Sequence, residues 1–194
     1  MSREQISGRG VPLFRNNIDT DQIIPARFCY KAKRVGHADS LFGDWRKDPS
    51  FVLNDPGYDG ATILVAGREF ATGSSREYAV WALKDYGFKV IIAQSFGDIF
   101  YKNAIINDLL PLKTTEKGIE SLWDIIVRSP EALIKIDLEV ENINIEDSVW
   151  PAIIDQYYKR KYILNLDDIT LTLEDIESIK EYEKSRYMQL ATTL

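Results

Sequence analysis

A glycine followed by two hydroxyl side chains and a guanidinium stands in the first half of the chain, at Gly73-Ser74-Ser75-Arg76-Glu77. A helical pattern, Tyr78 to Tyr86, comes directly after it, so we expect these residues to form the entry to a helix. First-turn N–H groups lack intrahelical partners, and the helix dipole favours negative charge there. These donors, together with the hydroxyls and Arg76, predict a binding site for an anion, and a carboxylate is the anion that we expect.

The same residues also fit a purely structural interpretation. Ser74 and Glu77 have the spacing of a capping box, in which the two side chains satisfy backbone N–H groups at the start of a helix. On this segment alone both interpretations stay open, and a cap is compatible with a binding site.

The elements around this segment predict a strand–helix–strand unit. The apolar run Ala61 to Ala66 is typical of a buried strand. The helix after it has a core-facing stripe, and Gly87 is placed to end it. Phe88 to Ala93 predicts a second strand, parallel to the first because a crossover joins them. The stripe consists of Ala79, Ala82, Leu83 and Tyr86.

The rest of the chain predicts further α/β structure in one domain, residues 1–194. Residues 1–30 indicate extended segments with a turn at Asn16-Asn17. Residues 31–60 indicate a long loop with short structured pieces, and residues 155–194 a helical extension broken at Asn165–Asp168. Between them we expect a helix near Gly97–Ile106 and a strand near Leu109–Leu112, where Pro111 indicates an edge of the sheet or a strand end. Further on we expect a helix over Glu116–Val127, a half-exposed strand over Ala132–Val140 and one extended run over Asn142–Val149.

Composition excludes several classes of function. The net charge of −6, without a stripe of Lys and Arg, argues against a nucleic-acid partner. The single cysteine, Cys29, cannot supply the thiolates of an iron–sulfur cluster or a structural zinc site, and it fits a cytoplasmic location. The single histidine, His37, is expected to be an ordinary loop residue. No apolar run reaches the length of about 20 residues that a membrane span needs.

Several motifs, in order, resemble one family. Asn17-Ile-Asp-Thr-Asp-Gln-Ile-Ile-Pro25 resembles the N-terminal signature of the small subunits of 3-isopropylmalate dehydratase. Gly73–Glu77 resembles the substrate-binding motif that these subunits share with the swivelling domain of aconitases. The resemblance continues through Trp81–Phe88, Ile91–Phe100, Asn107–Pro111 and Asn165–Ile169.

The resemblance implies a swivelling β/β/α domain that works only with a large subunit. That partner would carry a [4Fe-4S] cluster, and this chain would bind no cofactor itself. The implied reaction is the isomerisation of 2-isopropylmalate to 3-isopropylmalate through 2-isopropylmaleate, in leucine biosynthesis. Two alternatives stay open: a related hydro-lyase acting on citraconate, methylmalate or homoaconitate, and a non-catalytic binding module of the same fold.

The resemblance also implies roles for individual residues. By match, Ser74 is the catalytic base, and Ser75 and Arg76 bind a carboxylate of the dicarboxylate substrate. The family's substrate-recognition loop falls at residues 28–31, where Phe28 and Tyr30 are candidates to contact the isopropyl group. Lys31 and Arg27 leave that assignment open, and Cys29 is expected to be a packing residue. Asp19–Asp21 is expected to form an Asx-type turn into a strand or to support the site entrance.

Four positions depart from the family pattern. Where the family commonly has Asn-Phe-Gly, this chain has Glu69-Phe70-Ala71, and Tyr78 stands where a histidine often follows. Asp108 replaces a usual glycine, which we expect to have a backbone reason. We therefore expect a shifted turn at Asp108.

Overall fold

The computed structural model describes residues 4–30, 34–73, 76–166 and 168–185. Ser74, Ser75 and Lys31 lie outside the described residues. The strands are β1 Gln5–Leu13, β2 Ile18–Asp19, β3 Ile63–Ala66, β4 Phe70–Thr72, β5 Val90–Ala93, β6 Leu110–Lys113, β7 Leu133–Asp137, β8 Asn142–Ile145 and β9 Ser148–Pro151. The helices are α1 Thr20–Ile23, α2 Tyr78–Tyr86, α3 Asp98–Ile106, α4 Glu116–Arg128, α5 Gln156–Leu164, α6 Asp168–Glu174 and α7 Ile176–Ser185.

Seven strands form one mixed sheet in the order β6-β5-β3-β1-β7-β8-β9. The strands from β6 to β1 are parallel, and those from β1 to β9 are antiparallel. The sheet curls until its ends meet, because Lys113 and Ile153 exchange backbone hydrogen bonds of 3.0 and 2.7 Å. A separate two-stranded ladder joins β2 to β4.

Both faces of the parallel strands are buried, which explains their unbroken apolar runs. Along β3, Leu64 and Ala66 pack with α2 and α3 in one core cluster. Ile63 and Val65 point to the other face, where they join a second cluster built with α4 and the antiparallel strands. Two cores on opposite faces therefore fix the position of β3 and of the segment that leaves it.

The predicted strand–helix–strand unit is confirmed. Helix α2 has the predicted bounds and ends at Gly87, whose φ of 118° is the left-handed conformation expected there. Its two flanking strands, β3 and β5, are parallel neighbours. Helix α3 and the edge strand β6 also lie where the sequence predicted them, with Pro111 inside the edge strand.

Two predictions about extended segments were wrong. Residues 142–149 are not one run, because β8 and β9 form a hairpin that reverses at Glu146-Asp147. Residues 19–24 do not lead into a strand, since the short helix α1 begins at Thr20. The alternating burial predicted for the segment around β7 is confirmed.

The loop after residue 33 is confirmed as a long segment with short structured pieces, the 3₁₀ turns 38–40, 45–47, 52–54 and 56–58. It is more tightly packed than a surface loop, since Leu41, Phe42 and Leu53 are buried in the core. His37 lies in this loop, as predicted, but it is fully buried, and its ring stands perpendicular to the ring of Tyr78 with the two centroids 5.2 Å apart.

The described part of the C-terminal extension is helical, and α5 ends at Asn165 in the left-handed conformation, which confirms the predicted break. No helix among the described residues is both long and apolar enough to span a bilayer.

Candidate functional site

Strand β4 delivers the chain to the Gly73 turn, and β2 supports it from the side. Ile18 is paired with Phe70 and Asp19 with Thr72 in this parallel ladder. Gly73 then takes a φ of 92°, a conformation that side chains disfavour and that glycine adopts at low cost. Arg76 is the next described residue and stands two positions before helix α2.

The start of α2 differs from the capping-box interpretation. Glu77 is the N-cap residue, not the third residue of the helix, and no side chain caps the helix from that position. Its carboxylate accepts a hydrogen bond of 2.9 Å from the side-chain amide of Asn107. The S-x-x-E spacing of Ser74 and Glu77 therefore does not mark the beginning of this helix.

The capping box lies instead in α1. The Asp19 carboxylate accepts from the backbone N–H of Gln22 at 2.7 Å, and the Gln22 side chain accepts from the N–H of Asp19 at 2.9 Å. Reciprocal bonds of this kind hold both ends of the first turn. The prediction of an Asx-type turn into a strand is corrected to a capped single turn of helix, which fixes Thr20 and Asp21 in place.

Asp21 forms an ion pair with Arg76. Nη1 of the guanidinium donates to Oδ1 of the carboxylate, and the Arg76 side chain is 29% exposed. Among the described residues, no other hydrogen bond of the Arg76 side chain is found. One edge of the guanidinium thus keeps its donors available for a second anion, in the geometry that arginine uses for carboxylates.

Cys29 lies close enough to this pair for both charges to affect the pKa of its thiol. Partial burial raises the pKa of its thiol, Arg76 lowers that pKa, and Asp21 raises it further. Its sulfur approaches the carbonyl oxygen of Pro25 at 3.9 Å. The expected packing role fits these contacts, and the thiol additionally provides a reporter of the charges around Arg76.

Asn107 braces α2 against α3. Besides its bond to Glu77, its side-chain oxygen accepts from the indole N–H of Trp81 at 3.2 Å. Its backbone carbonyl accepts from the ammonium of Lys84. Asn107, the residue that follows α3, therefore holds the helix that begins after Arg76. Neither the anion site nor the capping box, as predicted from the sequence, included Asn107.

Two of the recognition candidates have different surroundings. Phe28 is half-buried against the core, while Tyr30 is 74% exposed. Arg27 stacks over the Phe28 ring at 4.5 Å and donates two hydrogen bonds, of 2.9 and 2.6 Å, to the Asp44 carboxylate. The guanidinium of Arg27 is therefore already engaged by an acidic partner of this chain.

Three of the four residues that depart from the family pattern occupy strained backbone positions. Glu69, Ala71 and Asp108 have φ values of 55°, 59° and 60°. This left-handed region is easily reached by Gly and Asn and costs other residues energy. The expected backbone reason is confirmed at Asp108, but the expected shift of the turn is not needed, because Asp108 adopts the conformation that a glycine would favour.

The pair of Asp21 and Arg76 lies apart from three clefts of the surface. Three surface clefts are lined by other segments, around residues 5–7 with 135–137, 12–15 with 44–52, and 96–102 with 153–158, and neither Asp21 nor Arg76 lines them. Within the described ranges, no group of three or more His, Cys, Asp and Glu side chains is placed to hold a metal ion.

Comparisons with known proteins agree with the motifs. Residues 2–117 match the family model of the aconitase C-terminal domain. The chain is 48% identical to the 3-isopropylmalate dehydratase small subunit of Acidothermus cellulolyticus over 96% of this chain and 95% of that protein. It is 47% identical to the small subunit of Streptomyces coelicolor, over 93% and 91% of the two chains.

A solved structure has a similar fold. The chain superposes on 3-isopropylmalate dehydratase (leuD) from Methanocaldococcus jannaschii with a TM-score of 0.67 and 27% identity. The match covers 91% of this chain and 99% of the other. The similarity therefore extends over most of the length of both chains.

Proposed function

The chain belongs to the family of 3-isopropylmalate dehydratase small subunits, and on that premise we propose how its residues serve the reaction. The family and the swivelling α/β fold, both predicted from the motifs, are confirmed. The chain is one subunit of a hydro-lyase of leucine biosynthesis and works with a large subunit.

The reaction exchanges a hydroxyl group between neighbouring carbons. Loss of a proton and a hydroxide from 2-isopropylmalate gives 2-isopropylmaleate, and water then adds in the opposite sense to give 3-isopropylmalate. The proton leaves a carbon next to a carboxylate, and a C–H group in that position is a very weak acid. Its removal requires a base and stabilisation of the negative charge that develops on that carboxylate.

Ser74 is the base in this proposal, and Ser75 and Arg76 bind the carboxylate. The observation that carries it is the Arg76 side chain, which Asp21 holds by one nitrogen and which has no further hydrogen bond to any residue that the structure describes. A guanidinium fixed at one edge can bind a carboxylate at its other edge without first losing much conformational freedom.

Substrate choice in this proposal depends on residues near Arg27. Phe28 and Tyr30 provide apolar surface for the isopropyl group. The pairing of Arg27 with Asp44 supports this choice over a substrate with a third carboxylate, since the guanidinium is already neutralised. Citraconate or methylmalate remains the alternative substrate class, because both lack a further charge.

The [4Fe-4S] cluster belongs to the large subunit in this proposal. One cysteine in the sequence cannot supply the three or four thiolates that such a cluster takes, so the residues of this chain do not fit it. We therefore assign the chain the binding of the carboxylate and the transfer of the proton, and a cytoplasmic location.

Reconstitution of the two subunits tests the proposal. The chain would be co-purified with its large subunit, the cluster loaded, and turnover of 2-isopropylmalate, methylmalate and homoaconitate measured. We expect turnover of 2-isopropylmalate by the complex and none by either subunit alone. A cluster-loaded complex that leaves 2-isopropylmalate unchanged would contradict the proposal.

A further inference from the structure

Asn107 has both polar atoms of its side chain engaged, and its partners lie in α3, at the start of α2 and within α2. Its amide nitrogen donates to Oε1 of Glu77 and to the backbone carbonyl of Asn103, each at 2.9 Å. Its amide oxygen accepts from the indole N–H of Trp81 at 3.2 Å. Because an indole N–H only donates and a carboxylate only accepts, these partners fix which way the amide is turned.

The entry to α2 depends on this contact. Glu77 is the N-cap residue of α2, and its side chain makes no capping bond to the helix. A helix end without a cap opens readily, because the first N–H groups have no partner within the helix. The hydrogen bond between Glu77 and Asn107 ties this end of the helix to the end of α3 instead.

Arg76 belongs to the same first turn. Its backbone carbonyl accepts from the N–H of Ala79 at 3.3 Å, so a movement of this turn would carry the backbone of Arg76 with it. Asp21 holds the guanidinium of the same residue. Arg76 is thus fixed at two points, its side chain on α1 and its backbone at the end of α2 that Asn107 holds.

We infer that Asn107 is a positioning residue for substrate binding, which holds Glu77 and thereby keeps Arg76 in place to bind a substrate carboxylate. The inference rests on the proposed function, in which Arg76 binds that carboxylate. A cation that is fixed in advance loses less conformational freedom on binding, so loss of this tie weakens the binding of substrate. Asn107 touches no substrate in this account and acts only through the start of α2.

Exchanging the donor and the acceptor of this hydrogen bond tests the role. Asn107→Asp keeps the shape of the side chain and the acceptor for Trp81, but it sets a second carboxylate against Glu77. Glu77→Gln keeps an acceptor for Asn107. The double variant with Asn107→Asp and Glu77→Gln reverses the direction of the bond at the net charge of the wild type. Asn144→Asp is the matched control, at a half-buried asparagine of β8 whose amide donates to Asn142 at 2.8 Å.

Two measurements report on Arg76. The first is kcat and KM of the reconstituted holoenzyme for 2-isopropylmalate. The second is the rate at which iodoacetamide modifies Cys29 in the isolated subunit, where the Arg76 charge lowers the pKa of that thiol. Because the thiolate is the reactive form, displacement of the cation slows this reaction. The second measurement needs no active complex and so follows the position of Arg76 independently of the proposed function.

We expect Asn107→Asp to raise KM about tenfold, as for loss of one hydrogen bond to a charged group, with kcat little changed. Its Cys29 should react about two- to threefold more slowly than in the wild type. Glu77→Gln and the double variant should stay close to the wild type in both measurements, because each retains the hydrogen bond. Asn144→Asp should also match the wild type. Glu77→Ala removes the acceptor and should have the effects of Asn107→Asp, which keeps the test open if that variant does not fold.

The outcomes separate this inference from the proposed function. Wild-type KM, or a wild-type rate at Cys29, in Asn107→Asp and Glu77→Ala would overturn the role of Asn107 and leave the proposed function standing. A double variant as impaired as Asn107→Asp would also overturn that role, because the hydrogen bond would then not be the cause. Absence of turnover by the wild-type complex would overturn the proposed function and the role in substrate binding, and the rates at Cys29 would still decide whether Asn107 positions Arg76.

Discussion

Asp21 binds the guanidinium of Arg76 through a single nitrogen, Nη1, across 55 positions of sequence. Both side chains are partly exposed, at 54% and 29%, so the pair stabilises the fold only weakly. Its main consequence is orientation, because the carboxylate holds the guanidinium of Arg76 by one nitrogen.

Replacing Asp21 should affect the reaction more than the fold. In Asp21→Asn the charge that orients Arg76 is lost, and we expect kcat/KM of the reconstituted enzyme to fall about tenfold, as for one charge-assisted contact. The free energy of unfolding should change by less than about 1 kcal/mol. Glu177→Gln, which breaks the exposed pair with Lys180, is the matched control and should leave both quantities unchanged. A normal kcat/KM in Asp21→Asn would show that Arg76 needs no such partner.

Cys29 should report the charges of this pair in the isolated subunit. Because the thiolate is the reactive form, a lower pKa speeds alkylation at a given pH. Asp21 raises the pKa of Cys29 and Arg76 lowers it, so Asp21→Asn should react faster than the wild type and Arg76→Gln more slowly. The rate of iodoacetamide modification against pH measures this, with Glu177→Gln as control. Equal rates in all variants would place Cys29 too far from the pair.

Asp108→Gly should stabilise the protein. Asp108 is exposed and has a φ of 60°, which costs a residue with a side chain about 1 kcal/mol relative to glycine. The gain should raise Tm by about 2–4 °C. Asp108→Ala removes the same carboxylate but keeps the strain, so it should not show the gain. If the two variants have the same Tm, the backbone conformation is not the reason for the usual glycine.

Acidic pH should weaken the ion pair between Arg27 and Asp44, which lies beside Phe28. Hydrogen bonds from Arg27 and then Lys47 hold the pKa of Asp44 well below its usual range. A depressed carboxyl pKa adds stability above the unfolded pKa of about 4, and that stability is lost as the pH falls below it. The Tm of the wild type should therefore fall more steeply on acidification than the Tm of Asp44→Asn. Asp124→Asn, at an exposed position of α4, is the control, and parallel Tm curves for wild type and Asp44→Asn would contradict the expectation.

The strand–helix–strand unit of β3, α2 and β5 was predictable because the sequence patterns that indicate it are local. Apolar runs buried on both faces predict β3 and β5, and Gly87 ends α2 as a left-handed glycine does. Strand β4 gave no such signal, since it has three residues and Ala71 adopts a left-handed conformation without being glycine or asparagine. The hairpin of β8 and β9 was missed because Glu146-Asp147 is not a typical hairpin dipeptide.

The site was predictable in its residue types but not in its contacts. The motif at Gly73–Arg76 indicated a carboxylate site, yet nothing local indicates that Asp21 would bind Arg76 or that Asn107 would hold Glu77. These partners are brought together by the sheet and by the packing of α1, α2 and α3. The S-x-x-E spacing was misleading as a capping signal, because α2 begins at Tyr78, where the helical pattern predicted it, and Glu77 is its N-cap residue.

The most direct test of the account is turnover of 2-isopropylmalate by the reconstituted complex that contains Ser74→Ala. If Ser74 is the base, the variant should assemble with the large subunit, retain its Tm and lose nearly all kcat, because the group that removes the proton is gone. Full turnover by an assembled Ser74→Ala complex would contradict the account and would leave Ser74 with a structural role only.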